Sequence, residues 1–217
     1  MQFTLLQARI LGVLVEKQHT VPDTYPLSLN ALVTGCNQKN GRDPVMDASE
    51  AEVRAALDFL RQQVLVIESS GARVTRYSHN LGRVLKIPSQ AEALLATLML
   101  RGPQTASELR INSERLHRFA DTGSAEVFLE ELATRPAQQG GALVVKLPRR
   151  PGEREARWAH LLCGEPAIAE PPVATEGGAA REQADVAGEI VQLRAEVAAL
   201  RAEVAALRAR VDAGGGG

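Results

Sequence analysis

Aromatic side chains are scarce, at 3% of the chain. Their scarcity weighs against stacking platforms for single-stranded nucleic acid and against a large aromatic-lined cofactor pocket. Cys36 and Cys163 are the only cysteines. They offer neither a disulfide framework nor the paired spacing of a zinc site, and read as two small buried or idle thiols. His19, His79, His117 and His160 are scattered. No phosphate-binding loop, HExxH or nucleophile elbow occurs, so no enzyme, cofactor or metal ion is expected. No apolar run reaches the length of a bilayer span. Residues 3–15 contain Arg9 and lead straight into Glu16-Lys17 without a small-residue cleavage site, so no signal peptide is expected. The expected setting is a reducing cytoplasm, without membrane association. An excess of charge of one sign is missing too. The net charge is −1, made up of +2 over residues 1–87, +1 over 88–163 and −4 over 164–217; a duplex-binding protein is expected to carry a strongly basic face.

What the chain does have is helical periodicity with start signals. Thr4 with Gln7 makes a capping box for a first helix carrying Leu6, Ile10, Val13 and Leu14 and ending near Gln18. Ser28 caps a short helix with Leu32 and Val33, closed by Gly35. A polar stretch follows, and Ser49 with Glu52 then opens a third helix whose Val53, Leu57, Leu60 and Val64 form one apolar stripe. Two β-forming runs, residues 64–67 and 73–77, flank a Gly-containing turn and predict a hairpin. Three helices and a hairpin in that order predict a winged helix.

The order repeats. Ser89 with Glu92 predicts a capped helix stopped by Gly102-Pro103, and Thr105 with Glu108 caps the next. Ser124 opens a third helix to about Arg135, and residues 143–147 begin a second hairpin. Two short echoes tie the halves together: Ala51-Glu52-Val53 with Ala125-Glu126-Val127, and Arg76-Tyr77-Ser78-His79 with Arg157-Trp158-Ala159-His160. The expected organisation is therefore mainly α with short β-hairpins. It comprises two tandem winged-helix domains at 1–87 and 88–163, a flexible linker at 164–182, a coiled-coil helix at 183–212 and a disordered tail at 213–217. In the coil, Val186, Ile190, Leu193, Val197, Leu200, Val204, Leu207 and Val211 alternate at spacings of 4 and 3. β-branched residues at a with Leu at d favour a parallel pair. Glu189, Glu196 and Glu203 at g stand five residues before Arg194, Arg201 and Arg208 at e, the spacing of charge pairs between parallel chains. A homodimer through these heptads is expected.

The segments LLQARILGVLVEKQ, TYPLSLNALVTGCNQKNGRDPV, RVTRYSHN and RGPQTASELR, with the closing heptads, resemble the YceH-like family of bacterial proteins. The resemblance covers Met1 to about Leu162 and the tail. It implies two winged helices with a C-terminal coiled coil, and it carries no activity over to particular residues.

Two classes of function remain. One is a protein-interaction module, in which the polar turn and the acidic helix faces meet another protein. Arg42 offers a forked donor set to a carboxylate, and Asn37, Gln38, Lys39 and Asp43 supply further polar groups. The alternative for this turn is purely structural, with Arg42 or Lys39 paired to Asp43. The other class is a DNA-binding regulator contacting duplex through Arg73, Arg76, Arg149, Arg150 and Arg154 of the wings and through the third helices. Asp47, Glu50 and Glu52 on one such helix, and Glu126, Glu130 and Glu131 on the other, would meet phosphates with negative charge. A protein partner is therefore favoured over DNA.

Overall fold

The computed structural model describes residues 2–70, 74–150 and 152–166. Arg73, the linker beyond 166, the seam from Val186 to Val211 with the pairing it predicts, and the tail lie outside the described residues. The fold is mixed α/β, with seven α-helices among the described residues and two small antiparallel sheets.

The first half runs α1 (Leu5–Thr20), β1 (Leu27–Ser28), α2 (Leu29–Cys36), α3 (Glu50–Gln62), β2 (Val66–Ser70) and β3 (Thr75–His79). A short α4 (Leu81–Leu85) leads into the second half: α5 (Ser89–Arg101), β4 (Gln104–Thr105), α6 (Ala106–Asn112), α7 (Thr122–Ala133), β5 (Val144–Lys146) and β6 (Arg157–His160). Each expected hairpin gains a third strand, giving sheet orders β1-β3-β2 and β4-β6-β5. The added strands are two residues long, too short to show a period of 2 in the sequence.

The capping boxes at Thr4, Ser49 and Thr105 form as the sequence predicts, and Ser28 caps α2. Four local expectations are corrected. Gly35 does not end α2; it lies inside the helix, where an added Cβ would stand 2.6 Å from Val13 Cγ1, so its role is close approach of α1 and α2. Val64 leaves the stripe of α3, because the chain turns there with φ 58° and exposes the side chain. Ser89 does not cap α5. Pro88 occupies that position without a side-chain bond, and Glu92 is buried. Asp121, three residues before Ser124, is the cap of α7, and Ser124 returns the bond as the N3 partner.

Aligning the halves by their caps shows which echo is structural. Val53, Leu57 and Leu60 lie 4, 8 and 11 residues after Ser49, and Ala125, Leu129 and Leu132 lie at the same offsets from Asp121; all six are buried. The Ala-Glu-Val echo is two residues out of this register, so Val53 is buried and Val127 is 57% exposed. The strand echo holds. Leu27 pairs with Tyr77 as Gln104 pairs with Trp158, and Val66 pairs with His79 as Val144 pairs with His160.

α1 packs along α5, and the buried side chains of both halves join one hydrophobic cluster within the compact unit Met1–Ile168. Each large aliphatic side chain buried there contributes about 1.5–3 kcal/mol. The helices approach closely at Gly12, where an added Cβ would stand 2.9 Å from Leu100 Cγ and 3.3 Å from the Ala96 carbonyl.

Candidate functional site

The polar stretch at residues 37–44 is tied to the fold through Asn37, Gln38 and Arg42. Asn37 closes a two-way clamp with Ala48, donating to its carbonyl at 2.9 Å and accepting from its N–H at 2.8 Å. Gln38 Oε1 accepts from Arg42 at 2.6 Å and from Lys17 at 3.3 Å. Arg42 is buried. Its Nε donates to the Gly35 carbonyl at 3.1 Å, and its fork takes both carboxylate oxygens of Glu16 on α1, at 3.1 and 2.6 Å. The fork that the sequence offers to a partner's carboxylate, or to Asp43, is thus taken by a residue 26 positions upstream. Burial pushes the Glu16 carboxyl upward, but hydrogen bonds and charge from Arg42 and Lys17 outweigh it and hold the group below the usual carboxylate range.

Arg9, also on α1, is buried at 1% exposure and donates to the carbonyls of Cys36 at 3.2 Å and Pro44 at 2.7 Å. The Asp43 N–H donates to Leu100 of α5 at 2.8 Å, and the Tyr25–Pro26 and Asp43–Pro44 peptide bonds are cis. Lys39 and Asp43 are the two members of the proposed partner-binding set left exposed. The sequence reading missed Arg9 and Glu16. The available signal was a charge set directly among apolar residues of α1, as in Ala8-Arg9-Ile10.

The proposed nucleic-acid contacts divide. Arg76 Nη1 donates to the Pro26 carbonyl at 2.8 Å, and Arg157 Nη1 donates to the Pro103 carbonyl at 3.1 Å, so equivalent arginines anchor the residue before each added strand. Arg157 also pairs with Glu108 and Glu153. Arg149, Arg150 and Arg154 in the second hairpin loop are exposed and form no ion pair among the described residues.

The third-helix faces are acidic or self-neutralised. On α3, Glu50 pairs with Arg54 at 2.8 Å, Asp58 with Arg61 at 3.2 Å, and Glu52 is held in its capping box. α7 contains no basic residue. Lys146 of β5 reaches Glu126 at 3.3 Å and Glu130 at 3.8 Å, with its ammonium 5.0 Å from the Trp158 ring centroid. Glu131 stays exposed beside Val127.

His79 and His160 sit at equivalent strand ends, each pushed down to about 4 by burial and therefore neutral near pH 7. The His79 backbone N–H donates to Tyr25 Oη at 2.8 Å, its ring Nε2 meets Gln18, and its ring Nδ1 lies 3.8 Å from the buried Glu92 carboxylate. Burial pushes the Cys36 thiol up to about 12, leaving it protonated and unreactive. Among the described residues no group of three His, Cys, Asp or Glu side chains could hold a metal ion, and no helix is long and apolar enough to cross a membrane.

These features define a helix-rich α/β protein built from two repeated sheet-bearing halves. The chain belongs to a bacterial family described as a protein of unknown function, DUF480, whose model matches residues 3–153. It is similar to a UPF0502 protein of Leptothrix cholodnii, 62% identical over 186 residues, covering 86% of this chain and 81% of the relative. A UPF0502 protein of Methylibium petroleiphilum is 61% identical over 191 residues, with 88% and 79% covered. One of Delftia acidovorans is 56% identical over 197 residues, with 88% and 87% covered. The family resemblance in the sequence is to this same group of bacterial proteins.

Proposed function

We propose that each half is a winged-helix domain, at 1–87 and 88–163, and that the chain is a non-catalytic cytoplasmic binding protein whose partner is another protein. In this reading the heptads at 183–212 pair two copies. The repeated order of helix, strand, helix, helix and hairpin supports the domain assignment.

The observation that carries the choice of partner is the face of α7. It would be the groove-entering helix of a DNA reader, yet it carries Glu126 and Glu130, answered by Lys146 of β5, with an exposed Glu131 and an exposed Val127 and no basic residue of its own. An apolar residue rimmed by carboxylates suits a basic, partly apolar protein surface better than phosphates. Lys39 and Asp43 remain as outward groups of the turn, while Asn37, Gln38 and Arg42 act by holding its shape.

Mixed genomic duplex fragments are expected to show no measurable binding at about 50 mM salt, where the electrostatic contribution is strongest. A photocrosslinking side chain at position 127 is expected to yield a discrete protein adduct in cells, lost when Glu130→Lys and Glu131→Lys are introduced.

A second reading, duplex contact through the second wing, rests on the exposed Arg149, Arg150 and Arg154. Binding at low salt that is abolished by changing those three arginines to alanine would replace the protein-partner reading.

A further inference from the structure

The first turn of α1, the stretch around Pro44 and Met46, the end of α5, and β6 with the residues just after it line a partly open cavity of about 620 Å³. That volume is in the range of small-molecule sites. Phe3, Leu5, Ala8, Met46, Leu98 and Met99 make much of the wall apolar.

Two features bring positive charge to the apolar wall. Arg9 lines the cavity, 1% exposed, with both terminal nitrogens fixed on the Cys36 and Pro44 carbonyls and with Nε lacking a hydrogen-bond partner among the described residues. The guanidinium is therefore locked in place by the fold, with the unpartnered Nε itself buried. The N-terminus of the 16-residue α1 also reaches the wall, through Thr4 and Leu5, and its first turn contains no acidic residue to answer the helix dipole.

The neighbouring charges sharpen the assignment. Arg42 and Glu16 form a matched pair; burial and the nearby Arg42 lower the Arg9 pKa, while Asp43 and Glu16 act the other way. Asp43 and Glu165 are on the wall too. Asp43 is exposed, its Oδ2 lies 3.2 Å from where a Cβ on Gly102 would stand, and its charge also acts on Arg9. His160, whose Nδ1 has no hydrogen-bond partner among the described residues, adds a neutral polar group.

We propose that this cavity binds a small, mainly apolar molecule carrying one carboxylate. The acid group lies against Arg9 and the start of α1, and the hydrocarbon lies against Phe3, Met46, Leu98 and Met99. The inference is independent of whether the macromolecular partner is protein or DNA.

Calorimetric titration of the full chain with sodium decanoate and with decyltrimethylammonium, both below their micelle concentrations, tests it. Decanoate is expected to bind at one equivalent and at least ten-fold more tightly than the cation. Met46→Trp, which fills the chamber from a half-buried wall position, is expected to weaken decanoate at least ten-fold without changing the melting temperature of the unliganded protein. Arg9→Met, where it folds by circular dichroism, is expected to lose the preference for the anion. The proposal is overturned by equal affinity for both ligands, by no binding of either, by several equivalents per chain, or by unchanged decanoate affinity in a folded Met46→Trp protein.

Discussion

Glu16→Ala is expected to destabilise the protein by about 3–5 kcal/mol, the range for stranding one member of a buried ion pair. Arg42 has a side chain only 1% exposed, and Glu16 is its carboxylate partner at 2.6 Å. Removing Glu16 leaves a guanidinium charge inside, close to the equally buried Arg9. The reverse change is milder at the surviving partner, because Glu16 is 19% exposed and keeps Lys17 at 3.0 Å. Adding Arg42→Met to Glu16→Ala should therefore recover part of the loss. Thermal or urea unfolding measures both, and a Glu16→Ala loss below about 1 kcal/mol would show that water reaches and screens Arg42.

The same groups set the acid response. Glu16 is depressed in the folded state, so its contribution is present above its unfolded value near 4.5 and fades as pH falls through the lower folded value. His79 and His160 act at higher pH. Each falls from 6.5 in the unfolded chain to about 4 in the fold, so between these values the unfolded chain takes up protons that the folded chain refuses. Stability should accordingly drop as pH is lowered from about 6.5 toward 4. Glu92, raised by burial, works in the opposite direction. Replacing both histidines with glutamine should flatten the upper part of the profile, and an unchanged slope would refute their burial as neutral rings.

Gly12→Leu is the second large effect. An added Cβ alone would meet Leu100 Cγ at 2.9 Å and the Ala96 carbonyl at 3.3 Å. Replacing a mid-helix glycine gains about 1 kcal/mol of helix preference. Forcing apart a filled contact costs about 1–3 kcal/mol and sometimes more, and a whole leucine places the result at the upper end of that range. The melting temperature should fall by roughly 2–4 °C for each kcal/mol of net loss. Gly12→Ala should lose less, since the helix gain then offsets more of the smaller clash. A Gly12→Leu protein as stable as its parent would mean that α1 and α5 do not touch as described.

Much of the framework was legible because its signals are local. Thr4, Ser28, Ser49 and Thr105 are side chains whose geometry is settled within three residues, and each caps as read. The failures share a cause. Ser89 and Glu92 have the spacing of a capping box, but the packing of His79 and Gly82 around Glu92 draws it inward. Gly35 carries the usual mark of a helix end, yet the approach of Val13 explains it instead. Arg42 was recognised as a carboxylate fork, but its partner lies across two helices, beyond the reach of spacing rules. Tertiary contacts decided these cases, and a single sequence does not print them.

Chance has distributed the chromophores usefully. Trp158, the sole tryptophan, lies buried in the second sheet, while both tyrosines, Tyr25 and Tyr77, belong to the first half. Indole emission and tyrosine absorbance thus watch different halves without any label. Superimposable melting curves from the two signals would mark a single cooperative transition across the α1–α5 seam, and separated curves would mark two folding units joined by that seam.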